Sequence, residues 1–227
     1  MIYNDAPQLG RRWRGFFLTL DGPGGVGKST VTLNLCAQLV AIGVPTYATT
    51  EPSHGSIGEL ARHGTHEFGG RALACLVAAD RHHHLKTEIR PALDDGRLVV
   101  CDRYLASSLV LQRLDEVPVE YVEAINEGAD RPDLSVILTA DPDTIRARLT
   151  GRGESHGRFE EADQVERELA YYVDAAARLT ARGVDVITLN VEGHKPDETA
   201  ALIGAAMAER WASVMTSTTE HHQGKHE

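Results

Sequence analysis

Thiol chemistry is nearly absent from this chain: Cys36, Cys75 and Cys101 are its only cysteines, widely spaced and without a C-x-x-C pair. That excludes a disulfide framework and a structural zinc site, and it suits a reducing compartment. Long apolar runs are missing as well. No stretch approaches the roughly 18 apolar residues of a membrane span, and the opening MIYNDAPQLGRRWRG lacks the long apolar core of a signal peptide. Positive charge is in deficit, with 23 Lys and Arg against 33 Asp and Glu, a formal −10. A nucleic-acid polymer calls for a basic surface and is not an expected partner, whereas a phosphate pocket needs only a few local cations. The expectation is a cytoplasmic protein without a membrane partner.

What is present fits a globular protein with length enough to bury a core: 42% hydrophobic and 25% charged residues over 227 positions. Apolar, strand-like runs cover Phe16–Leu20, Val44–Thr50, Arg97–Asp102, Leu134–Ala140 and Val184–Asn190. Helical patterns lie between them, from Gly27 to Ile42 and from Arg71 to Asp94, with Pro91 bending or ending the second. Val165, Leu169, Tyr172, Ala176 and Leu179 follow the 3–4 spacing of one buried helical seam. Alternation of this kind predicts an α/β fold of three layers, a five-stranded parallel sheet with helices on both faces. No linker or repeat divides it, so one domain is expected over 1–213, followed by a disordered tail over 214–227. Ligands of such sheets bind beyond the carboxyl ends of the strands, where Asp21, Glu51 and Asp102 fall.

The stretch Gly22-Pro23-Gly24-Gly25-Val26-Gly27-Lys28-Ser29, with Thr30 after it, satisfies G-x-x-x-x-G-K-[ST] between a strand and a helix. Glycines let backbone N–H groups turn inward, and the helix N-terminus adds positive charge to the same anion hole. Lys28 reaches the β- and γ-phosphates and the Ser29 hydroxyl ligates Mg²⁺ in such a loop. The bound compound is a nucleoside triphosphate, with ATP the expected donor. An additional lysine just before the paired glycines would mark the chromosome-partitioning ATPases; Pro23 stands there instead.

The rest of the chain decides the acceptor. TTEPSHGSIGEL, AADRHHH, CDRYLASSLVLQ, RPDLSVILTADP and RGESHGRFE occur in that order. This series resembles the thymidylate kinase family of nucleoside monophosphate kinases from about Phe16 to Trp211. The resemblance implies a Mg²⁺- and ATP-dependent enzyme acting on a nucleoside monophosphate such as dTMP, and a homodimer. It assigns Asp102 to positioning Mg²⁺ through water and Arg103 to the acceptor phosphate. Ser107 and Gln112 match positions lining the nucleoside pocket, and Arg81 matches an arginine that bonds the acceptor base. Glu51 is placed near the metal or the acceptor sugar. RGESHGRFE matches a lid over about 150–160, whose Arg152 and Arg158, with Arg148 four residues earlier on the same face, neutralise charge on the transferring group. Histidines 82–84 point about 100° apart on a helix, so they cannot share a metal; His84 is the one expected at the pocket.

Three positions depart from the family pattern, all on the acceptor side: Gly24 replaces an acid that bonds the acceptor sugar, Thr50 an arginine before Glu-Pro, and Val77 a phenylalanine that stacks on the base. They raise two alternatives: a kinase of the same fold acting on a different or modified nucleotide, and a non-catalytic nucleotide-binding regulator.

Overall fold

The computed structural model describes residues 15–151 and 164–223. Strands β1 (Phe16–Asp21), β2 (Thr46–Thr50), β3 (Leu98–Asp102), β4 (Leu134–Thr139) and β5 (Val186–Asn190) form one sheet. Their order is β2-β3-β1-β4-β5 and every neighbouring pair is parallel, as expected. β1 and β3 are buried along their whole length, whereas the edge strands β2 and β5 are largely half-buried and carry polar residues.

Period-two alternation along β1 divides the core into two layers. Phe16, Leu18 and Leu20 face α1 (Lys28–Ala41) and α9 (Pro196–Gln223), meeting Val31, Leu35, Ile203 and Met207. On the opposite side Phe17 and Val99 pack on Leu85, Ile89 and Leu93. There also Ile137 packs with Val110 of α5 (Leu105–Leu114) and with Tyr172 and Leu179 of α8 (Val165–Ala181). Each such side chain contributes about 1.5–3 kcal/mol on burial.

The long helix begins as α3 (Gly70–His84), passes through one wide π-helical turn at Leu85–Ile89 and continues as α4 (Arg90–Asp94). Pro91 therefore does not stop it. The carbonyl its ring would crowd belongs to Thr87, inside the wide turn, where the ordinary ladder is already relaxed. Shorter helices α2 (Ser56–His63), α6 (Val119–Ile125) and α7 (Pro142–Gly151) complete the cover. α9 extends to Gln223, with no glycine or proline between Ala205 and Gln223 to interrupt it. Among the described residues no helix is long and apolar enough to cross a membrane.

The seam of α8 differs from the expected one. Val165, Tyr172 and Leu179 are buried, but Glu168 and Ala175 take the deep places expected of Leu169 and Ala176. Three of the five expected seam residues keep their places, and Glu168 is the one residue of α8 that lines the cavity walled by Arg81 and Gln112.

Candidate active site

The loop between β1 and α1 has backbone that only glycine tolerates at two points. Gly22 has φ 145°, and a Cβ there would lie 2.5 Å from the Leu138 carbonyl oxygen. Gly27, with φ 104°, is the N-cap of α1. No side chain caps α1 and no acid stands in its first turn, so its positive end is open to an anion. Lys28 is buried, and its Nζ donates to the carbonyls of Gly22 and Pro23, both at 2.8 Å. Asp102 pairs in register with Leu20 and Thr50 at the end of β3. Ser29 Oγ donates to Asp102 Oδ2 at 2.6 Å, while Asp102 Oδ1 is buried without a hydrogen-bond partner. A hydroxyl beside a carboxylate with an unused oxygen fits Mg²⁺ bound to the first and water-bridged to the second.

Asp21 organises the neighbouring turn. Its Oδ1 accepts the N–H groups of Tyr104 (2.9 Å) and Ser107 (2.8 Å), capping α5 from the adjacent strand. Burial pushes its carboxyl pKa up, opposed by the Ser107 and Tyr104 hydrogen bonds and by the charge of Arg103. The capped turn holds Arg103 at φ 72°, a conformation costing a non-glycine residue about 1–3 kcal/mol, with its N–H bonded to the Leu20 carbonyl at 2.8 Å. Two side chains brace the loop from the helices around the expected lid. Tyr172 OH donates to the Gly22 carbonyl at 2.8 Å and lies 3.3 Å from Ser107 Oγ. Arg148 Nη1 donates to the Val26 carbonyl at 3.2 Å.

Two cavities meet at this loop. The smaller, about 170 Å³, is lined by Gly24, Glu51, Val77, Arg81, Arg103 and Gln112, among others. The larger, about 490 Å³, is lined by Gly25, Val26, Gly27, Thr30, Arg148 and His194, among others. Adjacent residues of one loop, Gly24 and Gly25, thus belong to different walls.

Sequence-expected residues fall into place unevenly in the smaller cavity. Ser107, Gln112 and Val77 line it, with Leu73 and Leu111 continuing the apolar part of the wall. Gln112 is buried and its Oε1 has no hydrogen-bond partner. Arg81 also lines it, but the guanidinium already bonds Glu51 Oε2 (2.7 Å), Asn126 Oδ1 (2.6 Å), Ser108 Oγ (2.9 Å) and the Tyr104 carbonyl (3.2 Å). These bonds use four of a guanidinium's five donors. Burial would lower the Arg81 pKa, yet Glu51 and Tyr104 hold it above its usual value. Glu51 is likewise engaged, its second oxygen 3.3 Å from His84 Nδ1, so its carboxylate faces Arg81 and His84. His84 does not line the cavity as expected. It is fully buried behind Glu51, with Nε2 2.8 Å from Thr49 Oγ1. Arg152 and Arg158 lie outside the described residues; Gly151, just before that segment, lines the larger cavity.

Three residues were missed from sequence: Arg62 and Glu168, both in the smaller cavity's wall, and Tyr172 as a loop brace. Only Glu168 left a signal, a carboxylate three residues from Val165 and four from Tyr172 on the buried face of α8.

A strand ending in a glycine-rich phosphate loop, with a cavity on each side of that loop, is the arrangement of a P-loop kinase of small phosphorylated molecules. Comparison with known proteins narrows the class. The sequence profile of the family described as Thymidylate kinase matches residues 20–193. The chain is 36% identical over 197 residues to the probable thymidylate kinase of Pyrobaculum calidifontis, covering 85% of this chain and 97% of that protein. It is 32% identical over 199 residues to the thymidylate kinase of Xanthomonas oryzae pv. oryzae, covering 86% of each. With the Leifsonia xyli subsp. xyli thymidylate kinase it shares 37% over 170 residues, 71% of this chain and 80% of that one. The chain belongs to the thymidylate kinase family.

Proposed function

We propose that this chain is an ATP- and Mg²⁺-dependent kinase that phosphorylates thymidine monophosphate to the diphosphate. The observation that carries the reading is the shared loop. With Gly24 in the wall of one cavity and Gly25 in the wall of the other, a triphosphate and a monophosphate meet end to end above Lys28 and Asp102. Holding two anions in line supplies on the order of 7–11 kcal/mol of the barrier reduction when the geometry is right. The loop N–H groups from Gly24 to Thr30 bind the donor phosphates, and Lys28 exchanges its two carbonyl partners for β- and γ-oxygens. Ser29 directly and Asp102 through water would hold Mg²⁺, which would supply positive charge to those oxygens. The acceptor's phosphate has a second pKa near ~6, so it is ionised at neutral pH and needs no general base. Arg103 orients it, and Arg152 and Arg158 neutralise the group in transfer.

On the acceptor base, the unused Gln112 Oε1 matches an N–H such as that at N3 of thymine, and Val77, Leu73 and Leu111 form an apolar wall for the ring. A site with such an acceptor rejects a base that lacks the donor, because its own oxygen is then left unpaired. The reading extends to one domain over 1–213, a cytoplasmic enzyme and a homodimer, the last checked by light scattering. The deciding experiment assays a panel of nucleoside monophosphates with ATP and Mg²⁺. Thymidine monophosphate is expected to give the highest kcat/KM; a strong preference for a non-thymine acceptor rejects the assignment.

A further inference from the structure

The acceptor's dianionic phosphate needs cations, and the cavity's charges nearly cancel without help. Thr50, where an arginine is common, turns away: its Oγ1 donates to the Asp102 carbonyl at 3.0 Å and it does not line the cavity. Arg81 is matched by Glu51 in a pair 1% and 2% exposed. Arg103 shares the wall with the carboxylate of Glu168. That leaves Arg62 of α2, whose own carboxylate neighbour, the partly exposed Glu59, is not part of the cavity wall. Its Nη2 donates to the carbonyl of Pro52, itself a residue of the wall and two positions after Thr50 in sequence. Its Nε is buried without a hydrogen-bond partner, 3.8 Å from Glu59 Oε1. At 34% exposure the side chain remains reachable from solvent.

We propose that Arg62 binds the acceptor phosphate together with Arg103, supplying from α2 the cation that position 50 lacks. The proposal rests on the acceptor reading above. A guanidinium fork matches phosphate oxygens in pairs, and one anchored through a single Nη2 hydrogen keeps its remaining N–H groups for an anion. The competing role for Arg62 is a strap that merely pins the β2–α2 connection through Pro52.

Calorimetric titration of the full chain with thymidine monophosphate, thymidine and ATP separates the two. In Arg62→Met the monophosphate is expected to bind about 10–100-fold more weakly, the range for losing a charge-assisted contact. Thymidine and ATP binding should stay unchanged. Arg62→Lys keeps the charge without the fork and should lose less. Adding Thr50→Arg to Arg62→Met should restore affinity for the monophosphate but not alter that for thymidine. Equal weakening of monophosphate and thymidine, or monophosphate binding as in wild type, overturns the proposal. A wild-type chain that binds the monophosphate no better than thymidine rejects both the acceptor reading and this role, an outcome recognisable without any variant.

Discussion

The two cavities on either side of Gly24-Gly25 are built from different materials. The donor wall next to the loop is mostly backbone: glycines with positive φ and an uncapped helix end. The acceptor wall is side chains from several elements: Arg62 from α2, Val77 and Arg81 from α3, Gln112 from α5 and Glu168 from α8. Backbone sites demand one local sequence and tolerate little drift. A side-chain site can lose a residue at one position and recover its chemistry from another, and two of the three departures from the family pattern, Gly24 and Val77, line that wall.

The comparison breaks most visibly where an acceptor residue also carries stability. Arg81→Met leaves Glu51 buried without its main cation and should destabilise the protein by about 3–5 kcal/mol in chemical denaturation. Glu51→Gln made in the same background should recover part of that loss. Next comes Lys28→Ala, which should lower kcat by about 10²–10³-fold or more, as for removal of one transition-state cation or donor. Its KM for the acceptor should hardly move if the walls are as separate as they look. Val77→Phe sharpens the contrast from the other direction. If the base lies against that wall, restored stacking should tighten thymidine monophosphate by about 1–3 kcal/mol and leave ATP alone; weaker binding of the monophosphate would show that Val77 makes room the acceptor needs. Tyr172→Phe removes the brace on the Gly22 carbonyl, a hydrogen bond worth about 0.5–1.5 kcal/mol. It should raise the KM for ATP more than that for the acceptor.

The smallest effect is a pH trend. Asp21 has a folded pKa above its unfolded value, mainly through burial. Protonation therefore favours the folded state: that gain is fully present below the unfolded carboxylate pKa and is lost as pH rises through the folded one. Asp21→Asn still accepts the Tyr104 and Ser107 N–H groups. Thermal melts should show it at least as stable as wild type at pH 7, with the advantage shrinking as pH falls into the carboxylate range.

Legibility followed the same division. The place of Gly22 to Thr30 between a strand and a helix was readable because the motif is contiguous, and that of Asp102 because it ends a strand beside it. The parallel sheet was readable from its central strands, whose both-face burial makes continuous apolar runs. Arg81 was found but not its engagement, since Asn126, Tyr104 and Ser108 reach it only through tertiary packing. Arg62 and Tyr172 were invisible for the same reason: one is defined by the carbonyl of Pro52, the other by that of Gly22, and neither contact has a local spacing.

The resting position of Lys28 has a consequence for selectivity among anions. An ammonium already bound to two carbonyls at 2.8 Å is not an open trap for stray phosphate. A lone inorganic ion must break both contacts and offers little in exchange, whereas a polyphosphate also engages the helix end and the neighbouring amides. A loop so arranged is expected to favour a polyphosphate over a lone phosphate.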